Sequence, residues 1–195
     1  MSGELVAAVA LGSFGIFMLA AQIAHVRNPG KRGATLARAT GFAQLSPWLI
    51  PIPYAVLVLR PPPELPFNDA VRWVGLGLIV AGVAFALWAM AMLGRHYDLT
   101  LEVHGDHVVI DRGPYAIVRH PIYTGLGIHF IGCCLATGNI GFILGIVLLG
   151  FPAFYLRARA EERLLRDALG PAYGAYARRV PMLVPLRLGG PTSRE

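Results

Sequence analysis

Apolar positions along this chain come in long runs, and polar positions come in short clusters between them. The first run spans Leu5 to Val26, with Gly12 and Gly15 spaced for close helix contact. A loop with Arg27, Lys31, Arg32, Arg38 and no acid follows. The second run, Thr40 to Leu59, carries Pro47, Pro51 and Pro53 and is expected to kink. A proline-rich loop from Arg60 to Arg72 then balances its basic residues with Glu64 and Asp69. The third run is Trp73 to Leu93. After a polar stretch from Gly94 to His120 come two shorter runs, Ile122 to Ala136 and Ile140 to Leu156, divided by Thr137-Gly138-Asn139. That divider is an uncharged tight turn, so the pair reads as a short helical hairpin, tilted or partly re-entrant. Gly141 and Gly145 within it could bring its helices together.

Runs of this length cross a bilayer. The predicted fold is an all-α multi-pass integral membrane bundle of about five transmembrane helices, ending in that hairpin. The basic clusters all fall on one side if the N-terminus is outside, which makes the loop after span 1, Gly94 to His120, and the segment from Arg157 cytoplasmic. Glu4 precedes the first run with no basic residue, so the first span is expected to be retained and not cleaved as a leader.

Composition supports this reading. Of 195 residues 55% are apolar and only 14% charged, far less charge than a soluble domain carries. The net charge of +6 sits in loops, as membrane topology requires, which argues against nucleic acid as a partner. The only cysteines, Cys133 and Cys134, are adjacent in an apolar run and suggest neither a disulfide framework nor a metal site.

The densest polar and aromatic stretch is Gly113 to Gly125. Gly113-Pro114 opens it and Pro121 follows His120. A residue before proline is pushed out of the α region, so His120 is expected at a bend, with Pro121 in the first turn of a helix. Free N–H groups at such a helix mouth favour an anionic group. The alternative is a plain loop with a snorkelling Arg119 and interfacial tyrosines. Beyond the hairpin, Arg157 and Glu161, and Glu162 and Arg166, are four apart on helix faces. They form either solvated ion pairs or the charged wall of a pocket at the membrane surface. Gly170-Pro171 is expected to end that helix, and Tyr173 and Tyr176 either cover the pocket or lie at the interface. His96, His104, His107 and His120 share a region without the spacing of a metal site. His129, mid-span, reads as a hydrogen-bonded packing residue or a relay.

The order His107-x-x-Ile110-x-x-Gly113-x-Tyr115-x-x-x-Arg119-His120-Pro121-x-Tyr123-x-Gly125, then Arg157-x-x-x-Glu161-Glu162, then Gly170-x-x-Tyr173-x-x-Tyr176-x-x-x-Val180-Pro181, resembles the isoprenylcysteine carboxyl methyltransferase family. Phospholipid methyltransferases and other small membrane methyltransferases share the pattern. The resemblance covers Gly94 to Pro185. It implies one membrane methyltransferase domain, 1–195, made of three N-terminal spans (1–93), a catalytic half (94–188) and a tail (189–195). It implies S-adenosyl-L-methionine as cofactor, bound on the cytoplasmic side by His107, Val108, Val109, Ile110, Tyr115, His120, Pro121, Ile122, Tyr123 and Glu161. Arg157 would bind the substrate and serve as the catalytic residue, and no metal is implied. The implied acceptor is a lipophilic small molecule or a lipid-anchored substrate in contact with membrane lipids, methylated on a carboxylate. Phospholipid or small-molecule N- or S-methylation is the alternative within this chemistry. A sterol-reductase-like enzyme using NADPH is the alternative outside it.

Overall fold

The computed structural model of the chain describes residues 3–27, 35–38, 52–55, 63–94, 97, 102–104 and 109–186. It is a helical membrane bundle. Four main helices appear in order: α1 (Gly3–Arg27), α2 (Asp69–Leu93), α3 (Pro121–Thr137) and α4 (Ile140–Arg179). Three helical stretches, Leu5–Val26, Asp69–Leu93 and Ile140–Arg179, are long and apolar enough to cross a membrane. With 17 residues, α3 is shorter, about 26 Å at 1.5 Å per residue. The predicted second span lies outside the described residues except for the helical turn 52–55.

α2 starts four residues ahead of the predicted Trp73. Asn68 caps it, its Oδ1 accepting from the Val71 N–H at 3.0 Å, and Asp69 sits in the positive first turn. α2 and α3 then run antiparallel with their main chains in contact. A Cβ on Gly82 would lie 2.5 Å from the Gly125 carbonyl oxygen, and one on Gly132 would lie 2.6 Å from that of Gly75. Two glycines seven apart on each helix share one stripe, which keeps the seam closed over two turns. Of the glycines singled out from spacing alone, Gly12, Gly15 and Gly145 are not used in this way. Cβ atoms at Gly12 or Gly15 would meet nothing within 4 Å, and one at Gly145 would meet the Pro53 ring at 3.1 Å. Small residues permit close approach, but the facing element decides whether it occurs.

The turn between α3 and α4 forms as expected. Gly138 takes the left-handed conformation (φ 64°) and Asn139 caps the next helix through Phe142 N–H at 2.9 Å. The loop ahead of α2 docks on this turn, with Leu65 N–H donating to the Gly138 carbonyl at 2.8 Å. The loops after α1 and after α2 meet each other. A two-stranded antiparallel ribbon joins β1 (Thr35–Arg38) to β2 (Glu102–His104), so these two loops share one side of the bundle.

The core between the helices is aromatic and aliphatic, with Phe14, Tyr54, Ile79, Phe130, Phe142 and Phe154 buried together. His129 sits inside it. Its Nδ1 faces the Ile79 carbonyl at 3.3 Å and its Nε2 faces the Tyr54 hydroxyl at 2.5 Å. A carbonyl only accepts, so Nδ1 carries the proton and Nε2 accepts from Tyr54. His129 is thus a hydrogen-bonded packing residue tying three segments.

α4 is not a uniform helix. Pro152 has no N–H to give, and one widened turn precedes it at Ile146–Gly150, closed by Phe151 N–H donating five residues back to Ile146. The helix continues past Leu156 without interruption into its charged half. At Gly170 (φ 54°, ψ −131°) it breaks, and a terminal piece, 171–179, takes a new direction. The break falls at the expected dipeptide, but the chain resumes as helix beyond it.

Candidate functional site

The two ends of the hairpin meet. His120 precedes α3 with φ −120° and ψ 63°, the bend that Pro121 enforces, and Pro121 starts the helix. Its carbonyl takes the first helical bond from Thr124 N–H at 3.0 Å. Arg157, Glu161 and Glu162 approach from the charged half of α4.

His120 is buried between two carboxylates. Its Nδ1 is 3.5 Å from Glu161 Oε2 and its Nε2 is 3.4 Å from Glu162 Oε1. The second contact is an ion contact without hydrogen-bond alignment, so Nε2 is buried with no hydrogen-bond partner. Burial alone would lower the basicity of this imidazole. Glu161 and then Glu162 override it and push the group up to about 9. Burial opposes ionisation of Glu162 too, yet His120 and Arg119 bring it down to about 2. Glu161 is also held below the ordinary carboxylate range, against its burial, by His120 and Arg157.

The adjacent acids differ in exposure. The Glu162 side chain is 7% exposed and that of Glu161 32%, so Glu161 is the more accessible of the two. Tyr123 lies between it and Arg157. The Tyr123 hydroxyl accepts from Arg157 Nε at 2.9 Å and donates to Glu161 Oε2 at 3.1 Å. The helical spacing of Arg157 and Glu161 therefore does not make a plain solvated pair: Arg157 is buried and a phenol bridges the two. The Tyr123 ring stacks on His120 at 5.7 Å on one side and on Phe154 at 5.7 Å on the other. Phe154 in turn stacks on Phe130 at 5.6 Å, so an aromatic column leads from the polar mouth into the core.

Of the other predicted residues, Tyr115 is buried in a short turn (Gly113–Ala116) and its carbonyl accepts from the Tyr176 hydroxyl at 2.7 Å. Pro121 is buried and Ile122 half-buried beside Tyr123. Val109 and Ile110 are half-buried, and Val109 packs against Tyr173, Tyr176 and Val180. His107 and Val108 lie outside the described residues. Both C-terminal tyrosines are buried, so they pack onto the loop and do not rest at an open interface. Among the described residues no group of three or more His, Cys, Asp or Glu is gathered as metal ligands would be.

Two residues escaped the sequence reading as parts of the site: Arg119 and Phe154. Arg119 does not snorkel. It turns inward, with Nε donating to Glu162 Oε1 at 2.5 Å. The doublets Arg119-His120 and Glu161-Glu162 were the only local signal of this.

The sequence profile of the Isoprenylcysteine carboxyl methyltransferase (ICMT) family matches residues 73–167. The match begins at Trp73 inside α2 and stops before Gly170, so it covers Arg119 to Tyr123 and Arg157 to Glu162 but not the terminal tyrosines. A probable protein-S-isoprenylcysteine O-methyltransferase of Oryza sativa subsp. indica is 30% identical over 120 residues, 60% of this chain and 63% of that protein. The protein-S-isoprenylcysteine O-methyltransferase of Schizosaccharomyces pombe is 31% identical over 113 residues, 57% of this chain and 48% of that protein. A methanethiol S-methyltransferase of Pseudomonas sp. (strain GM41(2012)) is 32% identical over 171 residues, 79% of this chain and 62% of that protein. The chain thus spans less than two thirds of the length of each of these relatives. The profile thus falls on the helices that build the site, and over residues 73–167 the chain is similar to the isoprenylcysteine carboxyl methyltransferase family.

Proposed function

We propose that this chain is an integral membrane methyltransferase that takes S-adenosyl-L-methionine as donor and methylates a lipophilic acceptor, most directly the carboxylate of an isoprenylcysteine-like group. The observation that carries the reading is the Arg157–Tyr123–Glu161 chain of hydrogen bonds, which sets a cation for an acceptor beside a carboxylate for a donor.

The residues present fit the donor. Glu161 offers acceptor oxygens for amino or hydroxyl groups, and the start of α3 offers N–H groups. Tyr115, His120, Pro121 and Ile122 complete this side, with Val109 and Ile110 on the loop and His107 and Val108 carried over from the family pattern. When bound, the donor supplies a methyl group already activated on a sulfonium. The protein's work is then alignment and exclusion of water. Arg157 would grip an anionic acceptor through its planar fork. A carboxylate attacks as it stands at neutral pH and needs no general base. Burial pushes the Tyr115 phenol still further above its ordinary range, so it adds no charge to the mouth.

We assign residues 1–195 to one domain, with 1–93 shaping the lipid-facing entrance and 94–188 performing the chemistry. The site faces the cytoplasm in this reading. Its support is the ribbon that joins the two arginine-bearing loops on one side of the bundle, together with the bias of basic residues toward the cytoplasm.

A small thiol is the second acceptor to weigh, because the relative that matches 79% of this chain is named for methanethiol. Arg157 would then favour the thiolate. Radiolabelled donor offered with a prenylcysteine analogue or with methanethiol separates the two, since a methyl ester releases label in alkali and a thioether does not. Calorimetric titration with S-adenosylhomocysteine tests the shared premise. Binding of NADPH in its place would turn the reading toward a reductase.

A further inference from the structure

Arg119 does more than neutralise Glu162. Its Nη1 donates to the carbonyls of Ala177 at 2.8 Å and Val180 at 2.5 Å, at the end of the terminal helical piece. The main chain beside it adds to this. Arg119 N–H donates to Pro181 at 2.8 Å, His120 N–H to Met182 at 3.0 Å, and the Thr124 hydroxyl to Leu183 at 2.7 Å. Residues 180–183 are therefore strapped across the mouth of α3.

Gly170 turns the chain with φ 54°, and Leu165 and Leu169 ahead of the break pack against Tyr173, Tyr176 and Val180 beyond it. Arg119 and Tyr176 add polar contacts to that packing. Burying two charges is costly before they pair, and apolar residues of similar size are often at least as stable. A pair kept under this cost, one residue from His120 on one side and one from Glu161 on the other, calls for a role besides stability.

We propose that Arg119 and Glu162 are positioning residues of the donor site: Arg119 bolts residues 177–183 over the mouth of α3 and holds Glu162 against His120, so that the Nδ1 edge of His120 is fixed on Glu161. This rests on the donor-site reading above. The groups that face His120 are Glu161 and Glu162 of α4 and Tyr123 of α3. Arg119 and Arg166 act on it through Glu162, and Arg157 through Tyr123. Tyr173 faces the same two acids.

The test is titration of the full-length protein with S-adenosylhomocysteine between pH 6 and 10, beside its melting temperature. Arg119→Lys keeps the charge but has no fork to serve a carboxylate and two carbonyls, so about tenfold weaker binding is expected. Glu162→Gln removes one of the two acids at His120. The upper pH limit of binding is expected to fall by about one unit. Wild-type affinity and an unmoved pH profile in both variants, with only the melting temperature lowered, would mean a purely structural pair and overturn the proposal. No binding by the wild type at any pH would sink the donor-site reading itself, which variant data alone cannot do.

Discussion

The Tyr123 hydroxyl stands between Arg157 and Glu161, taking a hydrogen bond from the guanidinium and giving one to the carboxylate. The proposed acceptor side and donor side are thus joined through one oxygen atom. Tyr123→Phe keeps the ring stack and removes only that link. Hydrogen bonds to charged groups contribute about 1.5–3 kcal/mol, so methyl transfer should drop about 10- to 100-fold. Incorporation of label from radioactive donor measures it, and unchanged turnover would mean the bridge has no part in the chemistry.

Glu161 and Arg157 should separate cleanly. Glu161→Ala is expected to weaken S-adenosylhomocysteine binding about tenfold or more, by loss of the carboxylate. Arg157→Ala should bind it nearly as wild type does while losing turnover. Calorimetry and the label assay together decide. Full activity in Arg157→Ala would remove it from the acceptor site.

Stability should depend on pH through His120. Its folded value, about 9, is raised above the ordinary 6.5. Its contribution is therefore complete below about 6.5 and is lost as the pH climbs through about 9. The melting temperature in detergent should fall across that window, and His120→Gln should flatten the slope. An equal slope in the variant would assign the loss to another group.

The α2–α3 seam should tolerate no side chain. Gly82→Ala puts a methyl group 2.5 Å from the Gly125 oxygen and the His129 nitrogen, both main-chain atoms. Overpacking of this kind costs about 1–3 kcal/mol. Gly12→Ala, with nothing within 4 Å, should be close to neutral and serves as the control in the same melting experiment.

The hairpin was legible because its signals are local. Gly138 and Asn139 turn and cap the chain, and a proline after His120 bends it. The candidate site residues were named from an order that resembles the family's, and the encounter of His120 with Glu161 followed from hairpin geometry. What the sequence could not disclose is long-range pairing. The carbonyl partners of Arg119 lie about sixty residues away, and nothing near Arg119 announces them. Glycine spacing misled for the same reason: Gly12 and Gly15 have the right interval but a Cβ there meets nothing within 4 Å, whereas Gly75 and Gly132 come from different runs. The helix beyond Leu156 was legible from the four-residue spacing of its charges and from Gly170-Pro171, but not its resumption past that break.

The glycine seam also limits traffic. Where two backbones touch, there is no width for a hydrocarbon tail to slip between them. A greasy cargo bound for the polar mouth must therefore travel around that barrier, and the search for its doorway narrows to the remaining flanks of the bundle.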